Sequence, residues 1–301
     1  MDFVPKEKAT PIREPSTANL MIDSSDRDFE RNPNAATVNI QRNNSILNGF
    51  FTRVSASEIV LDWFQPNIAA NFGNDSLDVE YSVNAGPVVN TTLTFFDGFY
   101  TQAQLLDALA LELNDDPGAI GGYQWQIVAP QTGVNQSTEA ALVPTDAAET
   151  YPISVTFSGP LALQLFGSTP FTKNFPAVNS PLFISPRDLR PYTYIDFVCN
   201  QLTANQSVKD ASTAPIVRDV LARWYFAYDN PPTLDKYGYP ILMGYTSFCL
   251  RRLYSPPKQI KWESNIPIGN LEFNLYDEFG ELVTIYNATT NWQMTLLVSE
   301  V

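Results

Sequence analysis

The chain has 301 residues, 44% of them hydrophobic and 13% aromatic, a globular composition with enough apolar mass for a large core. Its 18 Lys plus Arg stand against 32 Asp plus Glu, and the resulting net charge of -14 disfavours direct contact with nucleic acid or an anionic membrane. Histidine is absent, which removes Ser-His-Asp and Cys-His nucleophiles, histidine metal sites and imidazole switches together.

Residues 1–35 read as an extended arm: Pro5, Pro11, Pro15 and Pro33 forbid a long helix, and only residues 20–22 offer an apolar patch. A first strand is expected at 36–41. A stronger one runs over 53–64, where RVSASEIVLDWF passes from alternation into a continuous apolar run. In residues 78–83, Val79, Tyr81 and Val83 alternate with Asp78, Glu80 and Ser82, as in a sheet with one wet face.

A strand at 89–96 leads through the turn dipeptide Asp97-Gly98 to the best-specified local element in the chain. Thr101 and Gln104 have the Thr-x-x-Gln spacing of a capping box, and Tyr100 and Leu105 that of a hydrophobic staple. Leu105, Leu109 and Leu113, with Leu106 and Ala108 beside them, make one apolar stripe, so a short amphipathic helix is expected over 101–114.

Further strands are expected at 123–128, 153–157, 192–199, 217–228 and 245–254, separated by proline-marked loops, with a polar loop at 131–150 and a long one at 167–191. Towards the end of the sequence, 258–263, 271–276, 282–286 and 292–298 read as an antiparallel meander turning at residues 277–280. Around ten strands, one short helix and long loops make the fold mainly β: an antiparallel β-sandwich of single jelly-roll type. Residues 36–301 are expected to form one such domain, with an inserted subdomain or long loops within 131–245.

No residue set points to catalysis, a cofactor or a metal. Phosphate-binding glycine loops and the Gly-x-Ser-x-Gly elbow are missing, and Ser255-Pro-Pro-Lys258 has prolines where Ser-x-x-Lys needs a helix. Asp23, Asp26 and Asp28 lack the spacing of a calcium loop and suit turns near Arg27 and Arg31 better. Asp115-Asp116 and Asp277-Glu278 flank turns, where acids are common. Cys199 and Cys249 match no metal or redox spacing and read as buried thiols of a reducing compartment. The opening MDFVPKEKATPIREP has no apolar signal core, so the Asn-x-Ser/Thr sequons at Asn43, Asn74, Asn90, Asn135, Asn205 and Asn287 are expected to be unused. No apolar run approaches the roughly 18 residues of a membrane span. Arg251 and Arg252 must point to opposite faces of one strand; with Arg27 and Arg31 they are the candidates for a subunit interface.

Three segments, taken in order, resemble the penton and minor capsid proteins of large double-stranded DNA viruses and their smaller, virophage-type relatives. The stretch MIDSSDRDFERNPNAATVNI, followed by the strand EIVLDWF, is similar to an arm that leads into the first strand of those proteins. TLTFFDGFYTQAQLLDALALELN resembles a strand-to-helix element through Gly98, Tyr100, Thr101, Leu105, Ala108 and Leu109. KQIKWESNIPIGNLEFNLYDEFGELV, closed by WQMTLLV, is similar to their C-terminal strands.

The resemblance implies a structural jelly-roll capsid protein without enzymatic activity, most readily the pentameric vertex (penton) subunit. Its partners would be further copies of itself and a major capsid protein, with no direct nucleic-acid contact. It would reside in the virion capsid after synthesis in host cytoplasm. The alternatives are a minor capsid cement protein and a carbohydrate- or receptor-binding β-sandwich module.

Overall fold

The computed structural model describes residues 16–42, 46–47, 51–63, 65–115, 120–130, 139–145, 151–176, 179–185, 187–204, 219–226, 233–241, 250–261, 268–285 and 290–300. In chain order these form β1 (Thr17–Asp23), β2 (Thr37–Gln41), β3 (Arg53–Leu61), β4 (Ser76–Val83), β5 (Val89–Thr94), α1 (Gln102–Asp115), β6 (Gln124–Val128), β7 (Ala140–Thr145), β8 (Ile153–Ser158), α2 (Pro160–Phe166), β9 (Phe171–Phe175) and β10 (Leu182–Ile184). They continue as β11 (Tyr194–Val198), α3 (Asn200–Thr203), β12 (Val220–Tyr225), β13 (Leu250–Leu253), β14 (Ile260–Lys261), β15 (Asn270–Tyr276) and β16 (Trp292–Ser299).

One sheet has the order β1-β16-β3-β13, with β14 also on β3, and a second has the order β12-β11-β15-β2. The pairs are nested: β1 with β16, β2 with β15, β3 with β13, and β11 with β12, all antiparallel. A long two-stranded ribbon rolled up so that alternate strands fall into facing sheets gives this order, and that is a jelly roll. One continuous core fills the space between the sheets. At its centre Trp292 donates its indole N–H to Ala35 O at 2.8 Å and meets Phe197 and Phe273 edge-on at 5.4 and 5.5 Å.

β3 explains the change of pattern in RVSASEIVL. Val54 and Ala56 point inward, and so do Ile59 and Leu61, which a strict period of two forbids. The register against β16 shifts between Thr295 and Leu296, leaving Ser57 as the extra residue of a β-bulge, with its hydroxyl on Thr295 O at 3.0 Å.

Between β3 and β11 the chain builds a second core, covered by a sheet of order β5-β4-β8-β9, a sheet of order β10-β7-β6, and helices α1 and α2. The expected capping box closes α1: Thr101 N–H donates to Gln104 Oε1 at 2.8 Å and Gln104 N–H to Thr101 Oγ1 at 3.2 Å. Leu105, Leu106, Leu109 and Leu113 are buried, and Tyr100 packs against the same core. α2 starts with proline in its first turn and ends at Gly167, whose φ of 77° and N–H on Leu163 O at 2.8 Å make a left-handed cap.

Several features differ from the sequence reading. Residues 17–23, assigned there to the arm, are the edge strand β1, fully paired with β16; the polar pattern of this strand reflects an edge with one exposed face. β15 and β16 do not form a meander, because they lie in different sheets and residue 282 makes only an isolated bridge to Tyr276. The second core extends from Ile68 to Leu189 and adds Tyr239, so it starts well before residue 131. The stretch 167–191 is not all loop, since it holds β9 and β10, and α2 and α3 join the expected helix.

Residues 235–239, between β12 and β13, are bonded to this second core. Asp235 Oδ2 accepts the Ala103 N–H at 2.9 Å in the first turn of α1, and the Tyr237 hydroxyl donates to Asp107 at 2.7 Å. Tyr239 donates to Ile184 O at 2.6 Å and accepts from Ala140 N–H at 2.9 Å.

Candidate interaction site

β12 and β13 are the edge strands of the two jelly-roll sheets on the same side of the sandwich, and each carries an Arg-x-Tyr doublet: Arg223 and Tyr225 on β12, Arg252 and Tyr254 at the end of β13. A cleft of about 260 Å³ opens between the two edges. Its apolar floor includes Ala56, Leu221 and Ala222, and Arg223, Arg252 and Lys258 stand on its walls.

Two bonds close the sheets together here: the Tyr254 hydroxyl donates to Arg223 O at 2.9 Å, and Lys258 Nζ to Val220 O at 2.8 Å. Asp196, 1% exposed and directly across from Arg223 on β11, accepts its Nε and Nη2 at 2.5 and 2.9 Å. That two-pronged pairing pushes the guanidinium pKa further up and fixes its plane over the Tyr194 ring, 4.0 Å from the centroid. Arg252 lies 5.6 Å from the Tyr225 centroid and 5.4 Å from that of Tyr254. Burial pushes the Tyr254 phenol up to about 12.

The four arginines named from the sequence are not brought together. Arg251 and Arg252 do take opposite faces: Arg251 forms an ion pair with Glu58 on the outer face of its sheet, whereas Arg252 turns into the cleft. Arg27 is buried and donates to Ser24 O at 2.8 Å, Asn291 Oδ1 at 2.7 Å and Asn32 O at 3.1 Å, so it braces the turn after β1 from inside. Arg31 is exposed and pairs with Asp28 at 3.5 Å. Arg223, Asp196, Tyr194, Tyr225 and Tyr254 were not singled out from the sequence, although the repeated Arg-x-Tyr on two separate strands was a signal for them.

Other candidates resolve into local structure. Asp23 accepts from Ser25 N–H at 2.8 Å and Gln293 at 2.7 Å, and Asp28 from Glu30 N–H at 3.1 Å; among the described residues no group of three or more metal-ligating side chains gathers. Cys199 is a buried free thiol pushed up to about 12 by burial, which makes it a poor nucleophile; Cys249 lies outside the described residues. Asn74 is buried, with its amide on Asn67 O at 2.8 Å. Among the described residues no helix is long and apolar enough to cross a membrane. The cleft therefore offers ring faces, guanidinium donors and an apolar floor, which suits recognition of an anionic or aromatic group.

No protein-family model matches the chain, and no curated protein sequence matches it. Among solved structures it is similar to the crystal structure of the mavirus penton protein, at 13% identity over 96% of this chain and 100% of that one, with a TM-score of 0.49. The nested strand pairing stands independently of that likeness.

Proposed function

We propose that this protein is a structural subunit of a viral capsid, and specifically the pentameric vertex subunit. The observation that carries the reading is the jelly-roll strand order; the first capsid-like sequence segment falls on it across β1 and β2 and the third across β14 and β15, while the second forms β5 and α1 of the inserted unit. Jelly rolls also serve lectins and cupins, so the order of strands does not choose the function by itself. The absence of histidine argues against a histidine-ligated cupin metal site.

In this reading the jelly roll is the shell-forming body, and the unit inserted between β3 and β11 projects from it. Partners are further copies of the chain and a major capsid protein, and the working location is the virion capsid. Light scattering on the purified full chain tests this. The expected species has five times the 33.6 kDa chain mass. A monomer at every concentration, retaining glycans on an array, would overturn the reading in favour of a sugar-binding module.

A further inference from the structure

The two side edges of the jelly roll carry complementary chemistry. On one, the β12/β13 cleft combines a cationic wall with an apolar floor, in a chain whose net charge is -14. Within it Arg223 is paired with Asp196, while among the described residues the Arg252 guanidinium meets ring faces, with no carboxylate partner. At the other edge β1 and β2 are the outermost strands, and the turn between them presents exposed Asp26, Asp28 and Glu30 around Phe29, 54% exposed. This turn is preorganised. Buried Arg27 holds it from beneath and lies 4.2 Å from the Phe29 centroid, and the side chains of Asp23 and Asp28 accept backbone N–H groups within it.

An aromatic ring flanked by carboxylates is the counterpart of an apolar floor flanked by a guanidinium and tyrosine rings. Because the two surfaces lie on opposite edges of one molecule, their contact is heterologous, and such a contact builds a ring when its rotation closes and a filament when it does not. We propose that the occupant of the β12/β13 cleft is the 24–31 turn of a second copy of this chain, with Phe29 on the apolar floor and Asp26 and Glu30 against Arg252. This rests on the reading of the chain as a self-assembling shell subunit and names the surfaces through which it would assemble.

The test is charge exchange in the full chain, followed by sedimentation velocity. Arg252→Glu and Glu30→Arg should each weaken self-association at least about 10-fold, and the double exchange should recover most of that loss. Thermal unfolding of each variant checks the fold; should Arg252→Glu not fold, Phe29→Ala on the opposing turn is expected to weaken association about 10-fold as well. Assembly that persists unchanged in the single variants overturns this contact and leaves the capsid reading standing. Loss of assembly without recovery in the double exchange also overturns the contact. A wild-type chain that stays monomeric overturns the capsid reading and the contact with it.

Discussion

In the jelly roll, Thr17 pairs with Ser299 and Gln41 with Asn270, whereas in the inserted unit Val79 pairs with Thr91 and Ile127 with Leu142. The first region thus joins residues from opposite ends of the described chain, and the second is made mostly of neighbours in sequence. Loop-closure entropy must be overcome before long-range pairs can form, so the inserted unit, with its capped helix, has the simpler folding problem. A body closed through distant strands, with a locally built unit between two of them, should also open in two steps, joined by the Asp235, Tyr237 and Tyr239 contacts.

The strongest blow to the jelly roll is Trp292→Ala, which removes a buried indole, its bond to Ala35 and two ring contacts, at a cost of about 3–5 kcal/mol. Urea unfolding followed by two site-specific probes should show the jelly-roll transition moving and that of the inserted unit nearly unmoved. Leu109→Ala removes a fully buried side chain from the other core, and the reverse pattern is expected, at about 2–4 kcal/mol. If either variant shifts both transitions equally, the two cores unfold as one.

Arg223→Met removes the two-pronged cationic partner of the buried Asp196 carboxylate at about 3 kcal/mol, a low-end figure because the arginine is partly exposed. The loss should fall on the jelly roll and be absent from Arg251→Met, whose ion pair with Glu58 is solvated. A smaller effect, about 1 kcal/mol, is expected for Thr101→Ala, and it should be confined to the inserted unit because the capping box is local to α1.

Alkali gives the mildest test. Cys199, Tyr192 and Tyr254, all in or against the jelly-roll core, are pushed by burial from ordinary values of 9.0 and 10.0 to about 12. Each holds its proton more tightly folded than unfolded, so its contribution is complete below about 9 to 10 and declines as pH rises towards 12. Burial also raises Tyr123 and Tyr239 in the second core, by less, so thermal melts across that window should show both transitions falling and the jelly-roll transition falling further; an inserted unit that falls further would contradict the assignment.

What the sequence revealed follows the same division. The capping box, the Leu105-Leu109-Leu113 stripe and the alternation in β4 depend on residues within a turn or two of each other, and each could be read directly. The fate of residues 17–23 depends on Ser299 to Gln293, far along the chain, and their own composition suits an arm as well as an edge strand. The bulge at Ser57 hid the periodicity of β3, and α2 is too short to show a clear helical period. At the cleft, Arg252 could be named because two adjacent arginines on a strand must diverge. For Arg223 the sequence offered only the repeated Arg-x-Tyr pattern, and its pairing with Asp196 becomes visible only once β11 and β12 are paired.

Amide hydrogen exchange on the intact protein tests most directly whether the molecule is a jelly roll closed by the pairing of β1 with β16. The amides of β1 that bond to β16 should exchange as slowly as those joining β16 to β3, with both sets following the jelly-roll transition in urea. Exchange of residues 17–23 at the rate of an unpaired segment, while β16 and β3 stay protected, would contradict that closure and return these residues to an arm.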